Sequence, residues 1–461
     1  MKPRFQILFV VALGAAAAVA GAELRAGAAR VSITPRTPIR LGGRDAVSQG
    51  VAGEIYARAL ALDDGAGGRA VIITTDLMGL PRSLTERAAV EIMKAQGLER
   101  GQIVFSATGT RNAPMIQGLQ PVLEPEGGPE AKTIEQYAGT LIQYLAAVAG
   151  AAIGDLKPAR VDFAWGGAPA RNKKKKEARE EQGREGRDLA VLRVLTPKGG
   201  VIALLFGTSV GNAGIGDEFR SISGDAAGAA EAALEKEYKG SVALSMGLCG
   251  PWAIVGPWGE EAARTRGQEM AARVDEALKG PMEPARGRLS AALIEVSLPF
   301  VPHTKEQFEK EANSSDAARA RRARRMLAAY EARNEPRQMA YPVQVVRFEG
   351  GPALVALGGE AGPGYAENIR KSLHKNDVVV ALNANEGSVV ALGSKEEETN
   401  SERLFPASEP RGQSILENAW PGRTAAERSM MEFGWPGLLT EEAEERILGA
   451  VERAWQRAGK K

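Results

Sequence analysis

Arg69 to Asp76 reads RAVIITTD, an unbroken β-branched apolar run that follows the turn residues Asp63 to Gly68 (DDGAGG). A run of this length and composition between turn signals predicts a buried strand. Working outward, Leu84 to Gln96 carries apolar residues at helical spacing and stops at Gly97, where a glycine ends a helix at no steric cost. Gln102 to Ala107 then reads as a second strand. Strand, helix and strand in succession point to an α/β fold.

The pattern continues on both sides. Thr133 to Ile153 predicts a long helix with its apolar positions on one side. Val161 to Phe163 starts a strand, and Arg171 to Asp188 (RNKKKKEAREEQGREGRD) is a charged insert that reads as a solvated loop or frayed helix, with Lys173 to Lys176 as a candidate binding run. Val191 to Leu195 and Val201 to Phe206 predict a hairpin around Pro197 to Gly200. A helix over Gly228 to Tyr238, a strand over Val242 to Met246 and a helix over Glu260 to Leu278 follow. Lys305 to Asn334 is a charged helical stretch with Arg319, Arg321, Arg322, Arg324 and Arg325. A basic helix is able to make peripheral contact with an acidic membrane surface; a solvated helix laced with ion pairs is the other reading. Strands at Val343 to Arg347, Ala353 to Leu357 and Val378 to Leu382, and a last helix at Thr440 to Arg457, complete the pattern. With no internal repeat and no long linker, one large domain is expected.

Composition narrows the function classes. Of the 461 residues, 44% are hydrophobic and 25% charged, which suits a globular core. Lys2 and Arg4 precede an uncharged apolar run from Ile7 to Ala20, and Ala20 and Ala22 are small residues suited to cleavage. This is the pattern of a secretory signal peptide over residues 1–22 and implies a secreted or periplasmic protein; a retained N-terminal anchor is the alternative. Removing Lys2 and Arg4 from 59 basic residues leaves them balanced against 57 acidic ones, which argues against a nucleic-acid binder. Cys249 is the single cysteine, so no internal disulfide forms, and it reads as buried and inert. The two histidines, His303 and His374, read as surface residues.

Several segments, in order, resemble the N-terminal catalytic domain of the neutral/alkaline non-lysosomal ceramidases. Ala28 to Pro35 (AARVSITP) is followed by Leu41-Gly42-Gly43, and Ile55 to Gly65 (IYARALALDDG) leads into Thr75-Asp76-Leu77. Ser106 to Pro114 (SATGTRNAP) stands where that family reads SATHTHSGP. Ile222 to Gly228 (ISGDAAG) is similar to its ISADYPG, and Gly358-Gly359-Glu360 to its PGE-type turn. The resemblance implies mixed β-sheets flanked by helices over residues 23–461, without the family's C-terminal immunoglobulin-like domain.

It also implies zinc-dependent amide hydrolysis, in which the metal polarises a carbonyl and acidifies a bound water. The family's two histidines in the SATHTHSGP segment fall on Gly109 and Arg111, and a third falls on Ser209 in Phe206 to Gly211 (FGTSVG). Glycine has no donor, and arginine is a permanent cation. No tyrosine occurs between Ala381 and Pro406 to supply the family's phenolic ligand. Glu360 is the one expected ligand that is retained, so no zinc or other cofactor is expected. In Gly250 to Ile254 (GPWAI), Ala253 stands where a nucleophile would sit. The ligand-binding candidates are therefore Arg111, Glu360, Asp76 and Asp225, with Arg111 pairing with Glu360 in place of the metal charge. Three functions follow: a non-catalytic or altered-activity relative binding a lipid-like or amide ligand, an active hydrolase with a displaced site, or an exported interaction protein that uses the basic helix.

Overall fold

The computed structural model describes residues 23–166, 188–209, 211–212, 215–216, 218–250, 257–388, 392 and 425–460. Residues 1–22, most of the charged insert, and Ala253 lie outside them.

In chain order the strands are β1 (Arg25–Ser32), β2 (Gly50–Val51), β3 (Tyr56–Asp63), β4 (Arg69–Thr75), β5 (Ile103–Ala107), β6 (Lys157–Pro158), β7 (Arg160–Gly166) and β8 (Leu189–Leu195). They continue with β9 (Val201–Thr208), β10 (Ser221–Ile222), β11 (Val242–Gly247), β12 (Glu283–Pro284), β13 (Arg286–Pro299), β14 (Gln338–Gly350), β15 (Ala353–Leu357) and β16 (Val378–Ala381). The helices are α1 (Arg82–Gln96), α2 (Gly128–Gly154), α3 (Asp225–Glu237), α4 (Glu260–Lys279), α5 (Lys305–Glu311), α6 (Ala317–Glu331), α7 (Pro363–Leu373), α8 (Ala425–Glu432) and α9 (Ala443–Ala458).

Three mixed sheets carry the fold, in the orders β5-β4-β3-β1-β6, β11-β9-β8-β7-β12 and β13-β14-β15-β16. Each combines antiparallel neighbours with one parallel pair: β4 with β5, β9 with β11, and β15 with β16. A parallel pair needs a crossover, and α1, α3 and α7 supply the three. The structure is thus mixed α/β, and the RAVIITTD strand with its crossover helix is the first of three β-α-β units.

The strands read as continuous apolar runs because both faces are buried. In β4, Val71 and Ile73 face the core under α1 and α2, while Ala70 and Ile72 face the other way. In β9, Leu204 and Phe206 pack under α3 and α4, while Ala203 and Leu205 turn away from them. In β16, Val378 and Val380 pack under α7 and α9, while Val379 and Ala381 do not. The faces turned away from the helices meet in a central core drawn from all three sheets. Each fully buried Val, Leu or Ile contributes about 1.5–3 kcal/mol.

Helix α2 is long and apolar enough to cross a membrane by length and composition, yet it packs against β1, β3, β4 and α1. Its buried Tyr137 donates a hydrogen bond to Ile33 O at 2.8 Å.

Several expectations need correction. The charged stretch from Lys305 is two helices, because Asp316 caps a new one by accepting Arg319 N–H at 2.8 Å. It is not an all-solvated basic face. Arg322 is 2% exposed, and its guanidinium holds Trp435 O, Pro436 O and Glu311. Arg321 reaches Val122 O and Glu124 O, each at 2.8 Å. His303 is buried, its ring nitrogens 2.8 Å from Tyr330 Oη and from Pro336 O, whereas His374 is exposed at the end of α7. Cys249 is half-buried rather than buried. The 14-residue strand β13 was not anticipated from the sequence.

Candidate functional site

In sheets with parallel strands, ligands bind beyond the carboxyl ends of those strands. Here the chain leaves the six parallel strands at residues 76–77, 108–112, 209, 248–250, 358–360 and 382–386. Backbone hydrogen bonds tie these exits into one rim. Gly109 N–H donates to Leu77 O at 2.9 Å, and Ala107 N–H donates to Asn383 O at 3.3 Å. Asn383 N–H donates to Gly359 O at 2.6 Å, and Leu382 N–H donates to Gly247 O at 2.8 Å. The start of α3 joins through Ser223 N–H to Asn112 O at 2.8 Å and Thr110 Oγ1 to Ser223 O at 3.2 Å.

The rim therefore gathers the neighbourhoods of Gly109, Arg111, Ser209, Asp225 and Glu360, which lie far apart in sequence. Gly109 has φ +87°, and a Cβ there would find Asn383 Nδ2 at 3.8 Å as its neighbour. Space for a side chain exists, but the backbone is left-handed, a conformation that suits glycine. Ser209 lies against Gly250, where an added Cβ would fall 2.3 Å from Ser209 Cβ. Arg111 is half-buried, with its Cδ 3.6 Å from the Cβ position of Gly43. Glu360 is half-buried, and its carbonyl accepts Leu392 N–H at 3.1 Å. Among the described residues no ion pair joins Arg111 to Glu360, so the expected direct pairing is not formed.

Asp225 is 3% exposed and opens α3 with φ +55°. Its carboxylate accepts Ala226 N–H at 2.7 Å and Ile215 N–H at 3.2 Å. Asp76 leaves β4 but turns inward, away from a ligand-facing position. Its Oδ2 accepts Tyr56 N–H at 2.8 Å and an N–H of the Arg58 guanidinium at 2.8 Å.

This inward cluster was not read from the sequence. Arg58 sits midway along β3 and also lies 2.7 Å from Glu231 Oε2 on α3 and 3.5 Å from Glu235. Arg58, Asp76 and Glu231 are each at most 2% exposed. Glu231 Oε1 accepts Ser245 N–H at 2.9 Å, and so ties α3 to β11. Burial, and then the carboxyl of Asp76 against the favourable pull of Arg58, hold Glu231 well above the ordinary carboxyl range. A strand charge at Arg58 within YARALALD was the available signal, because a buried guanidinium demands carboxylate partners.

Glu386 is a second missed carboxyl. Burial pushes its pKa up, and it accepts Ser388 N–H at 2.8 Å and Arg82 N–H, at the start of α1, at 3.3 Å. Asn383 and Asn385 take left-handed backbone (φ +50° and +63°) that turns the chain past the rim. Ala253 lies outside the described residues.

No family model and no curated protein matches the chain. Solved structures do. A neutral ceramidase from Pseudomonas aeruginosa superposes with a TM-score of 0.63 at 14% identity, over 94% of this chain and 75% of that one. A ceramidase complexed with C2 gives 0.64 at 15% identity, over 94% and 76%. The fold is thus neutral ceramidase-like.

A hydrolytic zinc ion takes about three protein ligands and an open position; of the four described residues at the positions the resemblance implies, Gly109 brings no donor, Arg111 a cation, Ser209 a neutral hydroxyl and Glu360 one carboxylate. Among the described residues no group of three His, Cys, Asp or Glu is placed to hold a metal.

Proposed function

We propose that this chain uses a ceramidase-like fold to bind a lipid-like or amide ligand at the rim, without zinc-dependent hydrolysis. What supports the reading is that Gly109, Ser209 and Glu360 each follow the carboxyl end of a strand with a parallel partner, with Arg111 two residues beyond Gly109. That is where such a fold binds ligands, and the donors present there are those of a polar binding site. Arg111 offers parallel N–H donors suited to a carboxylate, phosphate or amide carbonyl, and Asn383 adds an amide. Asp225 and Asp76 hold backbone and neighbouring charges, so their role is to fix the rim. The same proposal places the chain outside the cytoplasm, on the signal-like residues 1–22.

The test is thermal unfolding of the full chain with a short-chain N-acylsphingosine, together with an assay for release of the free base. A ligand at about 100 times its Kd stabilises the folded state by about 2.7 kcal/mol. Stabilisation that is lost in Arg111→Ala, without turnover, supports the reading. Turnover of the amide sinks it.

A further inference from the structure

The rim carries hydrogen-bond donors that the fold leaves without acceptors. Thr108 follows β5, and its N–H still pairs with Thr75 O at 2.9 Å. Side chains alternate along an extended strand, so Thr108 shares the face of Ser106, whose hydroxyl donates to Leu382 O at 3.3 Å. That face is turned toward residues 382–383. Thr108 is 7% exposed, and its Oγ1 has no hydrogen-bond partner.

Asn383 stands beside it. Its backbone is fixed on both sides, the carbonyl accepting Ala107 N–H and the N–H donating to Gly359 O. The residue is 9% exposed, yet among the described residues its side-chain amide has no hydrogen-bond partner. The amide Nδ2 lies 3.8 Å from where a Cβ of Gly109 would stand, and no other atom beyond the adjacent residues comes within 4 Å of that point. The missing side chain of Gly109 therefore leaves room directly in front of the amide. Folded chains pair nearly all their buried polar groups, because burying one unpaired is unfavourable. An unpaired hydroxyl and an unpaired amide, side by side at an open position, mark a binding position.

Arg111 adds charge to it. Its stem passes Gly43, the guanidinium is half-buried, and among the described residues it forms no ion pair. All three groups donate. An amide ligand brings one acceptor oxygen to them, whereas a carboxylate brings two oxygens with about four lone-pair sites and matches the parallel N–H groups of a guanidinium. Arg111 is the one basic residue of the rim, and Glu360 stands on the same rim. A phosphate dianion would be left with excess negative charge there. We propose that the rim takes a ligand bearing a single carboxylate, held by Arg111 with Asn383 and Thr108 donating to its oxygens. The inference rests on the reading that the rim binds a ligand, and it narrows that ligand from a neutral amide to a monoanion.

The test is isothermal titration calorimetry of the full chain with hexanoate, hexanamide and hexyl phosphate, whose common alkyl chain cancels in the comparison. One hexanoate per chain is expected, bound at least about tenfold more tightly than hexanamide, the scale of a hydrogen bond to a charged group. Arg111→Gln is expected to lose at least about tenfold in hexanoate affinity. Thr108→Val keeps the shape and removes the unpaired hydroxyl. It is expected to leave the unfolding midpoint of the free protein unchanged or higher while weakening hexanoate roughly tenfold, a combination that a purely structural hydroxyl would not give. Tighter binding of hexanamide or hexyl phosphate than of hexanoate would overturn the inference and leave the rim reading standing. Hexanoate affinity unchanged in both variants would overturn it by placing the carboxylate elsewhere. Silence from all three probes overturns it as well, and the thermal shift with the N-acylsphingosine then decides whether the wider reading falls with it.

Discussion

The Arg58–Asp76–Glu231 cluster gives the sharpest stability prediction. Asp76 Oδ1 is a buried oxygen without a hydrogen-bond partner, and Glu231 Oε2 meets the Arg58 guanidinium at 2.7 Å without an aligned hydrogen bond. One proton carried by Glu231 and shared with Asp76 removes that deficit and leaves the Asp76 carboxylate, with Glu235 at 3.5 Å, to balance Arg58. The direction of the Glu231 shift, raised first by burial, agrees. The sign then follows from linkage. A group whose folded pKa lies above its unfolded value contributes stability that is complete below the unfolded value, near pH 4.5, and is lost as pH rises through the folded one. One such group changes stability by up to about 1.4 kcal/mol per pH unit across that window. Glu231→Gln removes the titration. It keeps an acceptor for Ser245 N–H but sets an amide beside Arg58, for a cost of about 1 kcal/mol. Glu231→Ala also strands Ser245 N–H and opens a cavity, for about 3–5 kcal/mol. The assay is urea unfolding at pH 5, 7 and 9, read at constant m. Wild type is expected to lose stability relative to Glu231→Gln as pH rises. Parallel pH profiles for the two proteins would refute the shared proton, and a cost below about 1 kcal/mol for Glu231→Ala would refute the tight burial.

Arg322→Ala removes a buried guanidinium with three anchoring partners and should cost about 3–5 kcal/mol in urea unfolding, because it leaves Trp435 O and Pro436 O unmatched and Glu311 with only Arg319, 3.6 Å away. Arg324→Ala, on the exposed side of the same helix, should stay within about 0.5 kcal/mol. Combining Gly109→His, Arg111→His and Ser209→His should raise zinc affinity more than about tenfold in a competition titration, the scale that even an outer-shell partner contributes. The left-handed backbone at residue 109 offsets part of that gain, at about 1–3 kcal/mol of strain. Unchanged zinc affinity in the folded variant would show that the three positions do not face one site.

The strands of the three β-α-β units and two of their crossover helices, α1 and α3, were legible because each is a local pattern: apolar runs for β4, β9 and β16, and helical spacing ended by Gly97 for α1; α7, which Pro363 opens inside a Gly-rich stretch, was not read. Strand β13 was not. RGRLSAALIEVSLP places two arginines and a glutamate among its apolar residues, and it earns its strand state from twelve paired positions on β14, a partner some fifty residues away. The same limit applies to the charges. Arg58 looks like an exposed residue in a strand until α3 brings Glu231 and Glu235 against it. His303 looks like a loop histidine until Tyr330 and Pro336 close on its ring. The rim positions were legible only through resemblance, because no local spacing relates residues 109, 209 and 360. The sheet exits that join them are a property of the tertiary fold.

The most direct measurement is metal content per chain in protein purified without added metal, read with an anomalous diffraction map at the zinc edge. No zinc at the rim formed by Gly109, Arg111, Ser209 and Glu360 is the expected result. One tightly held zinc per chain at that rim would contradict it.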